Sequence, residues 1–311
     1  MKKISIITPC YNEEESLYKC IGEIKELFSK KLSSYDYEHI ICDNSSNEKT
    51  NLILRTISSK DKKVKVIFNA KNYGGVISTF NGIKNSSGDA VLLYFPVDMQ
   101  DPPEKIPELV NEWEKGFDFV VGCRDQRDEF ILMKGVRKLY YIILQKFSHI
   151  KIPLNLGDFQ LVDKKIVDKM VKLKDIFPFI RTLPFEYSDN FQTISYTWQK
   201  RKTGSRKDTL RDYINSGMNG LVSVSDAPFR LILVMGIIIS FFSISYGLYA
   251  LIYNIFFQTN LDKGIPTLLV TVLIFSGMQL LVLGFLGEYI SSIHKYIKKN
   301  IEVNEKEKIN F

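Results

Sequence analysis

Gly88-Asp89-Ala90-Val91-Leu92-Leu93-Tyr94-Phe95-Pro96-Val97-Asp98-Met99-Gln100-Asp101-Pro102-Pro103-Glu104 is the segment from which the rest of this 311-residue chain can be understood. The apolar run Ala90–Phe95 reads as a fully buried strand. It opens directly onto three oxygen donors, Asp98, Gln100 and Asp101. Pro102-Pro103 stops regular structure, and Pro103-Glu104 suits the first turn of a following helix. Donors at the carboxyl end of a buried strand lie where open α/β sheets bind ligands. An oxygen-only set suits a hard divalent ion, Mg²⁺ or Mn²⁺. Taken alone, Asp-Pro-Pro-Glu is equally an ordinary strand-to-helix turn.

The flanking sequence repeats the pattern. Lys3–Thr8 is isoleucine-rich, as a central parallel strand is, and ends at Pro9-Cys10-Tyr11-Asn12-Glu13. Asn12 is placed to cap a helix from Glu13 to about Ser29. Strands at Tyr37–Cys42, Val64–Phe68 and Phe117–Val121 alternate with helices, which predicts a doubly wound, mostly parallel α/β sheet. Asp43, the Asn72-Tyr73-Gly74 loop and Asp98 each follow a strand, so the sheet carries them to one rim. Further on, Asn155–Gln160 reads as a loop, with Asp158 either a helix cap or a site residue. Gln192–Trp198 reads as one more strand.

Composition narrows the class. The net charge is +7, concentrated in Lys200, Arg201, Lys202, Arg206, Lys207 and Arg211 and in the tail after Ile293. Beside apolar spans, such clusters point to an anionic membrane surface or a phosphorylated ligand. No aromatic-basic motif for nucleic acid is present. Helical spacing would put several of Arg124, Arg127, Lys134, Arg137 and Lys138 on one face, either solvated or anion-binding. The four cysteines lack paired or metal-ligand spacing, which fits a reducing compartment, and three scattered histidines argue against zinc. The amino-terminal apolar run, Ile4–Ile7, is too short for a signal peptide.

Leu231–Phe257 is uncharged and long enough to cross a bilayer, and Ile265–Leu286 forms a second such run. Lysine and arginine crowd before the first and after the second, which places both termini in the cytoplasm. The expected organisation is a catalytic domain at 1–206, a juxtamembrane amphipathic helix at 207–228, a two-helix transmembrane hairpin at 229–290 and a charged tail at 291–311, disordered at its end. The expected location is the inner (plasma) membrane, with the catalytic domain in the cytoplasm. The sequence leaves room for a homo-oligomer.

These residues resemble a known family. Pro9-Cys10-Tyr11-Asn12-Glu13 is similar to the opening of family-2 glycosyltransferases with the GT-A fold. Asn72-Tyr73-Gly74, Gly88-Asp89, the Asp98–Glu104 motif, Gly122-Cys123-Arg124 and Gly157–Asp163 follow in the family's order. Leu286-Gly287-Glu288-Tyr289 is similar to the second-helix ending of the membrane-bound polyprenyl-phosphate glycosyltransferases. The resemblance implies a nucleotide-sugar site formed by Pro9, Tyr11, Glu13, Asp43, Asn72 and Asp98. It implies Asp98 and Gln100 as ligands of the divalent ion, and Arg124, Arg137 or Lys138, and Arg201 as the grip on a lipid phosphate. Asp101 and Asp158 are the alternative general bases. The sequence departs from the family where Pro96 replaces the first aspartate of Asp-x-Asp-x-Gln-Asp, where Cys42 precedes Asp43, and where Trp198 stands in place of arginine.

The resemblance implies inverting transfer of a sugar from a nucleotide diphospho-sugar to a polyprenyl phosphate such as undecaprenyl phosphate, at the cytoplasmic face of the membrane. A phosphate monoester is already anionic, so positioning by cations matters more than deprotonation. Two alternatives stand beside it: transfer directly to a glycan hydroxyl, and a catalytically silent membrane binder of sugar nucleotides.

Overall fold

The computed structural model describes residues 1–126, 155–172, 179–199 and 303–311 and the backbone of 264–298, with isolated positions elsewhere. The chain divides into two compact units, Met1–Val224 with Ile301–Phe311, and Ser225–Asn300.

The first unit is built on an eight-stranded sheet. Its elements are β1 (Lys3–Cys10), α1 (Leu17–Lys30), β2 (Asp36–Asp43), α2 (Glu48–Lys60), β3 (Val64–Asn69), α3 (Gly75–Lys84), β4 (Ala90–Leu92), α4 (Ile106–Glu114), β5 (Phe119–Gln126), β6 (Leu156–Asp163), α5 (Lys164–Met170), β7 (Phe191–Thr197) and β8 (Glu305–Ile309). The strand order is β7-β5-β6-β4-β1-β2-β3-β8. Four pairings are parallel and three are antiparallel. The sheet is therefore mixed: a parallel centre, β4-β1-β2-β3, with reversed strands on either side.

Side-chain alternation along the central strands supplies both faces. Ile4, Ile6, Ile41, Val66 and Leu92 point to one side, where they meet Leu17, Ile24, Leu54, Leu109 and Trp113 of α1, α2 and α4. Ile7, Ile40, Ile67, Val91 and Leu93 point to the other, against Phe80, Ile83, Ile166 and Met170 of α3 and α5. A strand buried on both faces favours apolar residues, which is why these strands read as largely apolar runs; the buried polar groups Ser5, Thr8, Glu38 and His39 are paired with one another or with neighbouring lysines. Gly88 closes the turn before β4 because nothing larger fits: a Cβ there would lie 2.7 Å from the Ser5 backbone nitrogen. Asp89 then accepts the Lys3 N–H at 2.7 Å.

Three expectations change. Leu156–Asp163 is a strand, pairing antiparallel with both β4 and β5; Asp158 lies within it, and the residue that caps the next helix is Asp163, which accepts from the Lys165 N–H. Asn12 is not a helix cap, because α1 starts at Leu17 behind Ser16. The carboxyl terminus ends in a strand: β8 adds antiparallel to β3. Lysine and glutamate alternate along β8, with Arg55 bound in bidentate fashion to Glu307. Charged residues are what an edge strand exposed to solvent carries.

The second unit contains α6 (Ile265–Lys298), a continuous 34-residue helix, about 51 Å long at the rise of an α-helix. Among the described residues no helix is long and apolar enough to cross a membrane; only part of the α6 side chains are among them. Most of the first apolar run, Leu231–Phe257, and all of the 207–228 segment lie outside the described residues.

Candidate active site

The loops after β1, β2, β3 and β4 open on the same rim of the sheet, and each contains one residue with positive φ: Asn12 (53°), Ser45 (64°), Gly74 (88°) and Met99 (52°). For Met99 this is an uncommon conformation for a side-chain-bearing residue, and it falls inside the Asp98–Asp101 cluster. β6 runs antiparallel to β4 and β5, so its amino end, with Asp158, meets their carboxyl ends.

On the β1–β2 side the loops hold one another. The Asn12 N–H donates to Ser46 Oγ at 3.0 Å, and Asn12 Oδ1 accepts from the Asn47 N–H at 2.8 Å. Tyr11 is 41% exposed, and Pro9 is half-buried. Asp43 is buried; its Oδ2 accepts from the Ser46 N–H at 3.2 Å, while its Oδ1 has no hydrogen-bond partner. Burial raises the Asp43 carboxyl above its ordinary value, against the pull of Ser46 and Ser45. An unpartnered buried carboxylate oxygen is a strong acceptor awaiting a donor. Asn44 ties in the third loop: its Nδ2 donates to Asn72 Oδ1 at 2.7 Å, and its Oδ1 accepts from the Tyr73 N–H at 2.9 Å.

On the β4 side, Asp98 Oδ1 accepts from the Gln100 N–H at 3.3 Å. The Gln100 side-chain nitrogen donates to the Gln199 carbonyl at 3.3 Å. Among the described residues no cluster of three His, Cys, Asp or Glu side chains could hold a metal. One carboxylate and one amide oxygen fit an ion that keeps waters and takes its remaining ligands from a substrate, as Mg²⁺ and Mn²⁺ do.

Asp101 and Arg124 have become a buried lock. Asp101 is fully buried. Its Oδ1 accepts from Tyr196 Oη at 2.5 Å and from Arg124 Nη2 at 3.2 Å. Arg124 Nε also donates to Tyr196 Oη at 2.9 Å, and the guanidinium sits 5.1 Å from the Trp198 ring centroid. Burial raises the Asp101 carboxyl, only partly offset by Arg124 and Tyr196. Burial would depress Arg124, but Asp101 and its neighbours keep it firmly charged. Gly157 makes the lock possible, since a Cβ there would lie 3.0 Å from Tyr196 Oη and 2.9 Å from the Gly122 carbonyl. The Arg124 guanidinium thus spends its charge on Asp101, and Asp101 is closed to solvent.

Asp158 is different. Its two oxygens accept from Arg181 Nε and Nη2 at 2.9 and 2.6 Å, and both side chains remain over a quarter exposed. Tyr94 lies among these groups: burial and then the Asp158, Asp101 and Asp98 carboxylates push its phenol up. The three acids thus lie within electrostatic reach of one phenol. Asp98, Asp101, Arg124 and Asp158 are therefore brought together, with Asp43 and Asn72 on the same rim. Arg137, Lys138 and Arg201 lie outside the described residues. Sequence reasoning missed Tyr94, Arg181 and Tyr196. The strand alternation that pairs Tyr196 with Arg124 across β7 and β5 was a signal for the last; nothing in the sequence singles out Arg181.

With this geometry in hand, comparison with known proteins gives the class. The sequence profile described as Glycosyl transferase family 2 matches residues 5–171, and the chain belongs to that family. It is a glycosyltransferase. It is 32% identical over 295 residues to an uncharacterized glycosyltransferase, YkcC, of Bacillus subtilis, covering 94% of this chain and 90% of that protein. It is 31% identical over 313 residues to a bactoprenol glucosyl transferase of Shigella phage SfV, covering 98% and 100%. Among solved structures, a glucosyl-3-phosphoglycerate synthase from Mycobacterium tuberculosis, in complex with Mn²⁺, UDP-glucose and phosphoglyceric acid, superposes with a TM-score of 0.50 at 18% identity, covering 70% of this chain and 76% of that one. That likeness supports a GT-A-like fold.

Proposed function

We propose that this protein transfers a sugar, with inversion, from a nucleoside diphospho-sugar to a polyprenyl phosphate at the cytoplasmic face of a membrane. The observation that carries the reading is the end-to-end match to a bactoprenol glucosyl transferase, apolar carboxyl-terminal third included. The rim chemistry supports it. In this reading Asp43, whose Oδ1 has no hydrogen-bond partner, would accept an N–H of the nucleobase, and the exposed Tyr11 would offer a ring for the base to lie on. Asp98 and Gln100 would hold a divalent ion, which when bound neutralises charge on the leaving diphosphate.

In the reaction an oxygen of the lipid phosphate attacks the anomeric carbon from the face opposite the diphosphate. The new C–O bond forms as the bond to the diphosphate breaks, and the nucleoside diphosphate leaves. No proton need be removed from the acceptor. Asp101, sealed in its lock, orders the β4 loop, and Asp158 holds Arg181 at the rim as an anion-facing cation. Cations of the 127–151 and 200–207 segments, Arg137, Lys138 and Arg201 among them, complete the acceptor site. The two apolar runs, Leu231–Phe257 and Ile265–Leu286, would anchor the chain at the bilayer, where the acceptor's phosphate lies. Full-length protein extracted in detergent, given undecaprenyl phosphate or a glycan acceptor with a panel of nucleotide sugars and Mn²⁺, tests this by product mass. A glycosylated glycan, or no turnover with any donor, counts against it.

A further inference from the structure

The last residues of the chain reach the loop that carries Asn72. The Ala70 N–H donates to the Asn304 carbonyl at 2.8 Å, and the Asn304 N–H donates back to Tyr73 Oη at 3.0 Å. One residue later, Glu305 Oε1 accepts from Asn81 Nδ2 at 2.8 Å and from Asn85 Nδ2 at 3.3 Å, gripping α3, the helix that follows the loop. Behind this contact β8 is firmly seated. Arg55 binds Glu307 with both guanidinium arms, and Asn310 Nδ2 donates to the Ser58 and Val64 carbonyls at 2.7 and 2.8 Å.

The loop is thus held from two sides. Asn44, the neighbour of Asp43, grips Asn72 and the Tyr73 N–H from within. Asn304 grips Ala70 and the Tyr73 hydroxyl from outside. Tyr73 is the residue both sides share. A short loop with positive φ at Gly74 has several accessible conformations, and each fixed hydrogen bond removes some of them.

We infer that the carboxyl-terminal strand is a positioning element of the donor site: Asn304, through its backbone, holds the Ala70–Gly74 loop in the conformation that receives the nucleotide. The inference rests on the reading of this rim as the nucleotide-sugar site. It follows that removing the Asn304 N–H weakens donor binding without touching the chemical step, although the strand lies far from the reacting atoms along the chain.

Three variants of the full-length protein isolate the contact. Asn304→Pro removes the N–H and keeps the carbonyl that Ala70 needs. Asn304→Ala keeps both. Tyr73→Phe removes the acceptor. Binding of UDP and of GDP is measured by calorimetry, with donor KM and kcat where turnover is found. Asn304→Pro and Tyr73→Phe are expected to weaken nucleotide binding about threefold to tenfold, the size of one ordinary hydrogen bond. Their combination should be no worse than either alone, kcat should hold, and Asn304→Ala should match wild type. Arg55→Ala removes an exposed ion pair of β8 and leaves the Asn304 contacts in place, so it should weaken nucleotide binding less than Asn304→Pro does. Wild-type-like binding by Asn304→Pro and Tyr73→Phe overturns the inference, as does an Asn304→Ala defect equal to that of Asn304→Pro. If wild type binds neither of these nor any other nucleoside diphosphate, the donor-site reading itself falls, and this inference with it.

Discussion

Replacing Asp101 with asparagine separates a structural lock from a catalytic base. The carboxyl is fully buried and is the one carboxylate hydrogen-bonded to Arg124 among the described residues. Removing one partner of a buried ion pair costs about 3–5 kcal/mol, because the remaining charge is left uncompensated. Here the cost falls near the lower end. Asparagine still accepts the Tyr196 hydroxyl, and Asp158 lies within electrostatic range of Arg124. About 3 kcal/mol corresponds to about 6–12 °C in melting temperature for a unit of this size. Tyr196→Phe, which deletes a hydrogen bond to a charged acceptor, should cost about 1.5–3 kcal/mol. The double variant should cost less than the sum, since both act on one network. The assay is thermal unfolding of the full-length protein in detergent, followed by tryptophan fluorescence, in which Trp198 reports on the Arg124 guanidinium stacked on it. A drop in turnover with the melting temperature within about 2 °C of wild type would refute the lock and return Asp101 to the role of a solvent-facing base.

Other outcomes follow from the same structure. Asp98→Ala should abolish transfer and leave the melting temperature within about 2 °C of wild type, since Asp98 is half-buried on a loop; near-wild-type turnover would remove its proposed metal role. Gly88→Ala should destabilise by about 1–3 kcal/mol, because the added Cβ would press on β1 backbone atoms at 2.7–2.8 Å; a neutral effect by calorimetry would contradict that packing. His39, buried against Thr8, is held neutral, its pKa depressed by burial to about 3 from 6.5. The unfolded chain therefore takes up a proton that the fold refuses, and stability is lost as pH falls below 6.5, by about 2 kcal/mol at about pH 5. Glu38 adds to this below 4.5: burial alone would raise it, but Lys65, Ser5 and Ser87 hold it at about 2. His39→Gln should flatten the melting temperature between about pH 7 and 5, and an unchanged acid slope would exclude His39 as its source.

The central strands were legible because burial on both faces favours apolar residues, and Lys3–Thr8 and Ala90–Phe95 are rich in them, although the second strand pairs only over Ala90–Leu92. β6 was not, because Gly157 and Asp158 interrupt its pattern for reasons found only in three dimensions: room for Tyr196 and a partner for Arg181. β8 was hidden by its charge. Glu-Lys-Glu-Lys has the look of a solvated tail, and its stability comes from Arg55, Asn81 and Asn310 contacts more than 200 residues apart in sequence. At the site, the strand-end acids were visible in order, but their division of labour was not. Asp101 and Asp158 look alike in sequence; one is sealed by Arg124 and Tyr196, and the other stands at the surface with Arg181. Burial decides that, and burial is set by strands the sequence concealed.

The most direct test of the whole account is the product made by the purified full-length enzyme from undecaprenyl phosphate, a nucleotide sugar and Mn²⁺. Wild type should form a lipid whose mass is raised by one sugar residue, and Asp98→Ala should not. A sugar appearing on a glycan hydroxyl while the lipid phosphate stays unmodified would contradict it.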